Sequence, residues 1–317
     1  AELLMNAEAA FMQGNFSDAQ ILLEQTYSTI ASNGQHNISL CCDFLAARLS
    51  LFQEGVTFVK NPEVKRKEFL SLHNMMWLNI FDSTYAYYYA LIRMPEKIPA
   101  LFKDHMLSTV SFLSPCRPMM EMIENQVFLS QKMYAKVIGR SETLLPFCEK
   151  MHYELVSLHV QIQTAAAYAM LGKYHDARQL LQKALGHAMP DGFLIPFVEN
   201  YNYIKDVLGS INSITPEPFT DRILSLGSVY EQHCLRLSSC NSRPEILNML
   251  NSREAEIAAL ITDRLSNREI AERLFLSEGT VKQYVNQIYS KLMINGDTRT
   301  KRKQLAELIS SINKGLT

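Results

Sequence analysis

The stretch Asn251-Ser-Arg-Glu-Ala-Glu-Ile-Ala-Ala-Leu-Ile-Thr-Asp-Arg-Leu-Ser-Asn-Arg-Glu-Ile-Ala-Glu-Arg-Leu-Phe-Leu-Ser-Glu-Gly-Thr-Val-Lys-Gln-Tyr-Val-Asn-Gln-Ile-Tyr-Ser-Lys-Leu292 decides how this chain is read. Three helix starts are marked in it. Asn251 and Ser266 are N-cap residues, with Glu254 and Glu269 three places on. Each pair fits a capping box, in which the cap oxygen accepts an orphan N–H and the glutamate reaches back. Ser277 caps the third helix, with Thr280 in the matching place. The apolar residues then assign the buried faces. Ile257, Leu260 and Ile261 share one stripe, as do Ile270, Ala271 and Leu274, and Val281, Val285, Ile288 and Leu292 repeat at helical spacing. The second and third helices, joined by Phe275-Leu276-Ser277, make a helix-turn-helix.

Burying the third helix's aliphatic stripe leaves Lys282, Gln283 and Asn286 on one outer ridge. These residue types read base edges, lysine at guanine acceptors and the amides at adenine, so this is a candidate recognition helix for the major groove of double-stranded DNA.

Ser252-Arg-Glu-Ala-Glu-Ile, Leu265-Ser-Asn-Arg-Glu-Ile-Ala-Glu-Arg-Leu and Leu276-Ser-Glu-Gly-Thr-Val-Lys resemble the LuxR/GerE-type DNA-binding domain nearly residue for residue. Sigma-factor region 4 shares the first two helices. The continuation Val285-Asn-Gln-Ile-Tyr-Ser-Lys-Leu and a fourth helix, expected from about Thr298 to Asn313, favour the LuxR type. The resemblance implies that Lys282, Gln283 and Asn286 face bases. It also implies that Thr280 and nearby basic residues, here Lys291, Arg299 and Lys301, face phosphates. The fourth helix, with its stripe of Leu305, Leu308, Ile309 and Ile312, would cover the domain core and contribute to a homodimer. Two features depart from the family: Tyr284 stands where histidine is usual, and Met293 to Arg299 replaces a shorter turn.

A chain of 317 residues implies two or three domains. No apolar run approaches the ~18 residues of a membrane span, and no basic-then-apolar signal pattern opens the chain. The six cysteines form no CxxC pair and fit reduced thiols of a cytoplasmic protein. The net charge of −1 hides an asymmetry. Residues 251–317 hold 11 Lys and Arg against 8 Asp and Glu, while the remainder holds 20 against 24. A basic module on an acidic body fits one nucleic-acid-binding end.

Residues 1–208 read as helix after helix. Ala7, Ala10, Gly14, Phe16, Ala19, Leu23 and Thr26 have the spacing of a tetratricopeptide (TPR) helix pair. Ala165, Tyr168, Gly172, Tyr174, Ala177, Leu181 and Ala184 repeat it, and a degraded copy lies around Tyr134 and Val137. We expect an α-solenoid of about ten helices. Trp77, Phe81, Tyr85 and Tyr88 or Tyr89 form an aromatic stripe. It reads either as helix–helix core or as a wall, with Trp77, Tyr85 and Tyr88, for a small-molecule effector or a partner peptide. Residues 209–250 read as a junction: a loop from Gly209 to Pro218, a helix over Phe219–Leu237 and a linker from Ser238 to Pro244.

Met189 to Glu199 looks like the segment that closes the solenoid in MalT-like regulators, which combine a STAND-type ATPase, a TPR-like superhelix and a LuxR domain. No GxxxxGK[ST] phosphate loop occurs here, so the resemblance implies the C-terminal part of such a protein, the alternative being a natural short regulator. The eight histidines and the scattered acids form no catalytic or metal-ligand constellation, and no cofactor is expected. The expected fold is all-α: a TPR-like α-solenoid, then a four-helix LuxR-type helix-turn-helix domain over 251–317. The expected function is a bacterial DNA-binding regulator, dimeric on DNA, with a helical sensor. The other reading is a protein-interaction adaptor whose helix-turn-helix binds DNA weakly or without sequence preference.

Overall fold

A computed structural model of the chain describes residues 1–31, 35–53, 56, 62–110, 112–241, 250–263, 265–292, 294, 296 and 300–306. Among these residues the regular elements are helices, without a strand, and no helix is long and apolar enough to cross a membrane. The chain divides into two compact units, Ala1–Ser238 and Ser239–Thr317.

The first unit holds α1 Glu2–Met12, α2 Phe16–Ala31, α3 His36–Leu49, α4 Pro62–Ser71, α5 Met75–Leu91, α6 Ala100–Lys103, α7 Arg117–Ser130, α8 Tyr134–Met151, α9 Glu154–Met170, α10 Tyr174–Ala188, α11 Ile195–Glu199, α12 Tyr201–Ile214 and α13 Pro218–Asn241. One row runs through it: α1 packs on α3, α3 on α5, α5 on α7, α7 on α9 and α9 on α12. The helices α2, α8 and α10 fold back on their predecessors α1, α7 and α9. This is the layout of a helical solenoid, in which each hairpin buries its apolar face against its neighbours.

The hairpins share one turn. Gly14, Arg93, Lys132 and Gly172 all adopt left-handed backbone, with φ of 80°, 57°, 61° and 75°. The next N–H then reaches back over the turn: Asn15 to Ala10 (2.9 Å), Met94 to Tyr89 (2.8 Å), Met133 to Phe128 (2.8 Å) and Lys173 to Tyr168 (2.9 Å). This Schellman closure satisfies carbonyls that the helix end would otherwise orphan. Ala7, Ala86 and Ala165, each seven residues before the turn residue, are fully buried, as are Ala19, Val137 and Ala177 beyond it. The expected copy at Tyr134 and Val137 is thus a hairpin in the same register, and Arg93 marks one that the glycine pattern did not show. The repeat aromatic is less regular. Phe16 stacks on Phe52 at 4.8 Å, whereas Tyr174 is 61% exposed.

The Met189–Glu199 segment joins distant parts of the row. Leu194 N–H donates to Met12 O (3.0 Å), and the Gln13 amide donates to Asp191 O (3.1 Å). Glu199 of α11 is buried. It accepts from Arg48 Nε of α3 (2.8 Å) and from the Tyr87 hydroxyl of α5 (2.8 Å). Arg48 reaches Glu8 of α1 through Nη1 (2.6 Å) and lies over the Phe11 ring. Burial opposes the Arg48 charge, but Glu199 and then Glu8 outweigh it, so its pKa lies above the ordinary arginine value.

The aromatic stripe of α5 faces inward. Phe81 and Tyr85 are buried with Leu40, Phe69 and Leu78 in a small core shared by α3, α4 and α5. Trp77 stands edge-on to Phe69 and donates Nε1–H to Asn37 Oδ1 (2.8 Å). Tyr88 is half-buried, edge-on to Tyr89. Phe81 and Tyr85 are thus taken up in packing against α3 and α4, whereas Trp77 and Tyr88 of the expected ligand wall are only half-buried. The loop expected from Gly209 is helix through Ile214, leaving only residues 215–217 between α12 and α13. A loop there would have exposed Ile211, which α12 buries. Helix α13 continues to Asn241, past the expected linker start, and the rest of the Ser238–Pro244 linker lies outside the described residues.

Removing one partner of a buried ion pair strands the other, at about 3–5 kcal/mol. Urea unfolding should therefore show Arg48→Met destabilising the protein by about that amount. Glu8→Gln, at the solvent edge of the same cluster, should cost less than about 1 kcal/mol.

Candidate nucleic-acid interface

The second unit contains α14 Ser252–Thr262, α15 Asn267–Leu274 and α16 Glu278–Lys291, with residues 300–306 also helical. Both expected capping boxes form. Asn251 Oδ1 accepts from Glu254 N–H (2.8 Å), and Asn251 N–H donates to Glu254 Oε2 (2.7 Å). Ser266 and Glu269 repeat the arrangement at 3.3 and 2.6 Å. At the third start Ser277 Oγ accepts from Thr280 N–H (3.0 Å) and shares a hydrogen bond with its hydroxyl (2.8 Å).

Between α15 and α16 the chain turns through Phe275, at φ 55°, with Leu276 N–H closing onto Ala271 O (2.9 Å). This is the same left-handed closure as in the first unit's hairpins, here on a phenylalanine whose side chain is 96% exposed. Leu250, Ile257, Ile261, Ile270, Val281, Val285, Ile288 and Leu305 form the core between the helices. Tyr284, in the place the family gives to histidine, packs partly against it.

With Val281, Val285 and Ile288 inside, helical periodicity turns Lys282, Gln283 and Asn286 outward, and all three are exposed. Gln287, one turn after Gln283, is exposed as well. Its spacing from Gln283 is the signal in the sequence that places it on the same ridge. The ridge so presents one ammonium and three amide side chains, all able to donate and the amides also to accept. Thr280 is half-buried at the start of α16, where the first turn's N–H groups favour an anion.

Two of the expected phosphate-facing residues are engaged within the domain. Lys291 donates from Nζ to Glu254 Oε2 (2.7 Å), a carboxylate that is 1% exposed, so its charge is drawn back onto the start of α14. Lys301 lies over the Tyr289 ring at 5.9 Å. Arg299 lies outside the described residues. Arg302 holds residues 300–306 in place: it donates to Asn267 Oδ1 (3.0 Å) and to Leu265 O. Arg253 likewise joins the start of α14 to the end of α15 through Leu274 O (2.9 Å). Leu305 is fully buried in the domain's own core, so it is not available for a dimer contact; Leu308, Ile309 and Ile312 lie outside the described residues.

Residues 248–302 match the family model described as bacterial regulatory proteins, luxR family. The chain carries a LuxR-type DNA-binding domain. Over 57 residues it is 44% identical to the transcriptional regulatory protein LnrK of Bacillus subtilis, covering 18% of this chain and 26% of that protein. Over 53 residues it is 45% identical to the transcriptional regulatory protein DegU of Brevibacillus brevis, covering 17% and 22%. The DNA-binding transcriptional activator DevR/DosR of Mycobacterium tuberculosis is 35% identical over 57 residues, covering 18% and 26%. The chain thus spans about a quarter of the length of these relatives, and the likeness is confined to the LuxR-type domain. No solved structure matches the chain.

The hydrogen bond from Lys291, with the capping N–H of Asn251, holds the Glu254 carboxyl below its ordinary pKa. A depressed acid stabilises the fold fully above its unfolded value of about 4.3, and that contribution is lost as pH falls through the folded value. A carbon-13 NMR titration should place the Glu254 carboxyl below the exposed glutamates, and Lys291→Met should move it upward. An unchanged titration in Lys291→Met would show that the ammonium does not hold it.

Proposed function

We propose that this protein is a transcription regulator whose C-terminal domain reads double-stranded DNA through Lys282, Gln283 and Asn286 of α16. The observation that carries this reading is the division of α16. Its aliphatic side is buried in the domain, and its amine and amide side chains stand in solvent on one ridge. A major groove admits a helix presenting such groups, and bidentate amide or paired cationic contacts discriminate bases. Thr280 and the first turn of α16 contact a phosphate, and so does Arg299. Lys291 contributes by positioning α14 rather than by meeting the backbone. Lys301 meets a phosphate only from its place over Tyr289.

The domain is modestly basic, which gives a single copy few phosphate contacts, so we place it on DNA as a homodimer. Leu305 is committed to the domain core, so the dimer contact uses the outer side of residues 300–306 or the chain beyond them. The helical array of the first unit is the sensor or interaction domain, binding a small-molecule effector or a protein. It has no enzymatic role, and the protein works in the cytoplasm.

Against a genomic fragment selected for tight binding, Lys282→Ala or Asn286→Ala should each cost about 1–3 kcal/mol and relax preference at one base position. Mobility shifts check this. Weak, sequence-blind binding that neither substitution changes would favour the adaptor reading. A footprint on that fragment should show two half-sites about one helical turn apart, ~10 base pairs. A single unrepeated half-site with one bound copy would remove the homodimer.

A further inference from the structure

The inner side of the first unit contains an apolar cavity of about 300 Å³, open on one side, between α1, α3, α7 and α9. A second cavity, of about 260 Å³, adjoins it towards α5, and the two share Cys41, Phe44 and Met119. Most of the first wall is aliphatic or thioether, including Met5, Met12, Met119 and Met122. Methionine walls adapt to the shape of what they enclose.

Two polar groups stand in this wall without a good partner. His159 of α9 is 2% exposed, and its Nδ1 has no hydrogen-bond partner among the described residues. Buried polar atoms are nearly always paired, so an orphan on a side chain that lines a cavity points to a missing ligand or water. Burial and the Arg48 charge push the His159 pKa well below its ordinary value, so the ring is neutral near pH 7. Arg48 gives Nε to Glu199 and Nη1 to Glu8, while its Nη2 meets the Met12 sulfur at 3.7 Å. A thioether is a weak acceptor. An oxygen that reached both groups would give each a partner.

We propose that this cavity binds an uncharged amphiphile, an aliphatic or aromatic body with one carbonyl or hydroxyl oxygen, anchored by His159 and Arg48. The anchor selects against an acid. Arg48 already faces the carboxylates of Glu199 and Glu8, and a third carboxylate at the same guanidinium would be repelled by both. The proposal deepens the sensor reading given above and rests on it for its biological meaning, though not for the binding itself.

The test uses the full chain with two probes of equal length, decan-2-one and decanoate, followed by titration calorimetry and thermal unfolding. The ketone should bind saturably, one per chain, and raise the melting temperature. Decanoate should bind at least about tenfold more weakly. Met119→Trp and Val156→Trp fill the cavity from α7 and α9, and each should weaken the ketone by at least about tenfold. Should either fail to fold, as judged by circular dichroism, His159→Phe removes the anchor at similar volume and should have the same effect. Glu8→Gln should improve decanoate relative to the ketone.

No saturable ketone binding overturns the proposal. So does binding that survives these variants, or a wild-type preference for decanoate. Mobility shifts with and without the ketone separate the two readings. Ketone binding that leaves DNA retention unchanged keeps this site and removes its sensor role. Specific DNA binding by a chain that takes no ketone removes this site and leaves the DNA reading intact.

Discussion

Val281, Val285 and Ile288 of α16 are buried against α14 and α15, and this one packing constraint sets what the domain can do. A helix repeats every 3.6 residues, so committing these three positions to the core leaves Lys282, Gln283 and Asn286 no orientation but outward. The neighbouring elements keep α16 in that rotation. The capping boxes at Asn251 and Ser266 fix where α14 and α15 begin. The left-handed Phe275 fixes the turn, and Lys291 joins the end of α16 to the start of α14. A cation that looks available in the sequence is thus used to hold the frame that presents the others.

The first unit solves a different problem. A solenoid of hairpins has an inner face that nothing local covers. Here the Met189–Glu199 segment covers part of it, and the buried Glu199 finds Arg48 and Tyr87 from two separate helices. Such a cluster adds little net stability over an apolar replacement, but it is intolerant of losing one member. It also leaves Arg48 with a donor pointing at a thioether and His159 with a buried Nδ1 that has no partner among the described residues, beside a wall of methionines. The residue that ties the array together, Arg48, therefore lines the same cavity as the orphaned His159.

Recurring turns show how far the sequence could be read. Gly14 and Gly172 were visible because glycine takes left-handed backbone without penalty. Arg93, Lys132 and Phe275 make the same closure with side chains that ordinarily avoid it, at a cost of about 1–2 kcal/mol each. Tertiary packing holds them there, so no local signal announces them, and the hairpin at Arg93 went unseen. The same reasoning explains Trp77, Tyr85 and Tyr88. A stripe of aromatics fixes which face of α5 is apolar, but whether that face meets solvent, a ligand or another helix depends on α3 and α4, which are separated from it in sequence.

The sequence by itself determined the helical class, the three helix starts of the C-terminal domain and the residues that α16 turns outward, because capping and helical periodicity act over three or four residues. Only the tertiary structure decided that Lys291 pairs with Glu254, that Lys301 lies over Tyr289, that Leu305 is buried in the domain core, that Phe81 and Tyr85 pack against α3 and α4, and that Glu199 meets Arg48. Those outcomes depend on contacts between residues from 12 to 151 positions apart, and nothing in the local pattern of a charged or apolar side chain encodes which distant group will reach it.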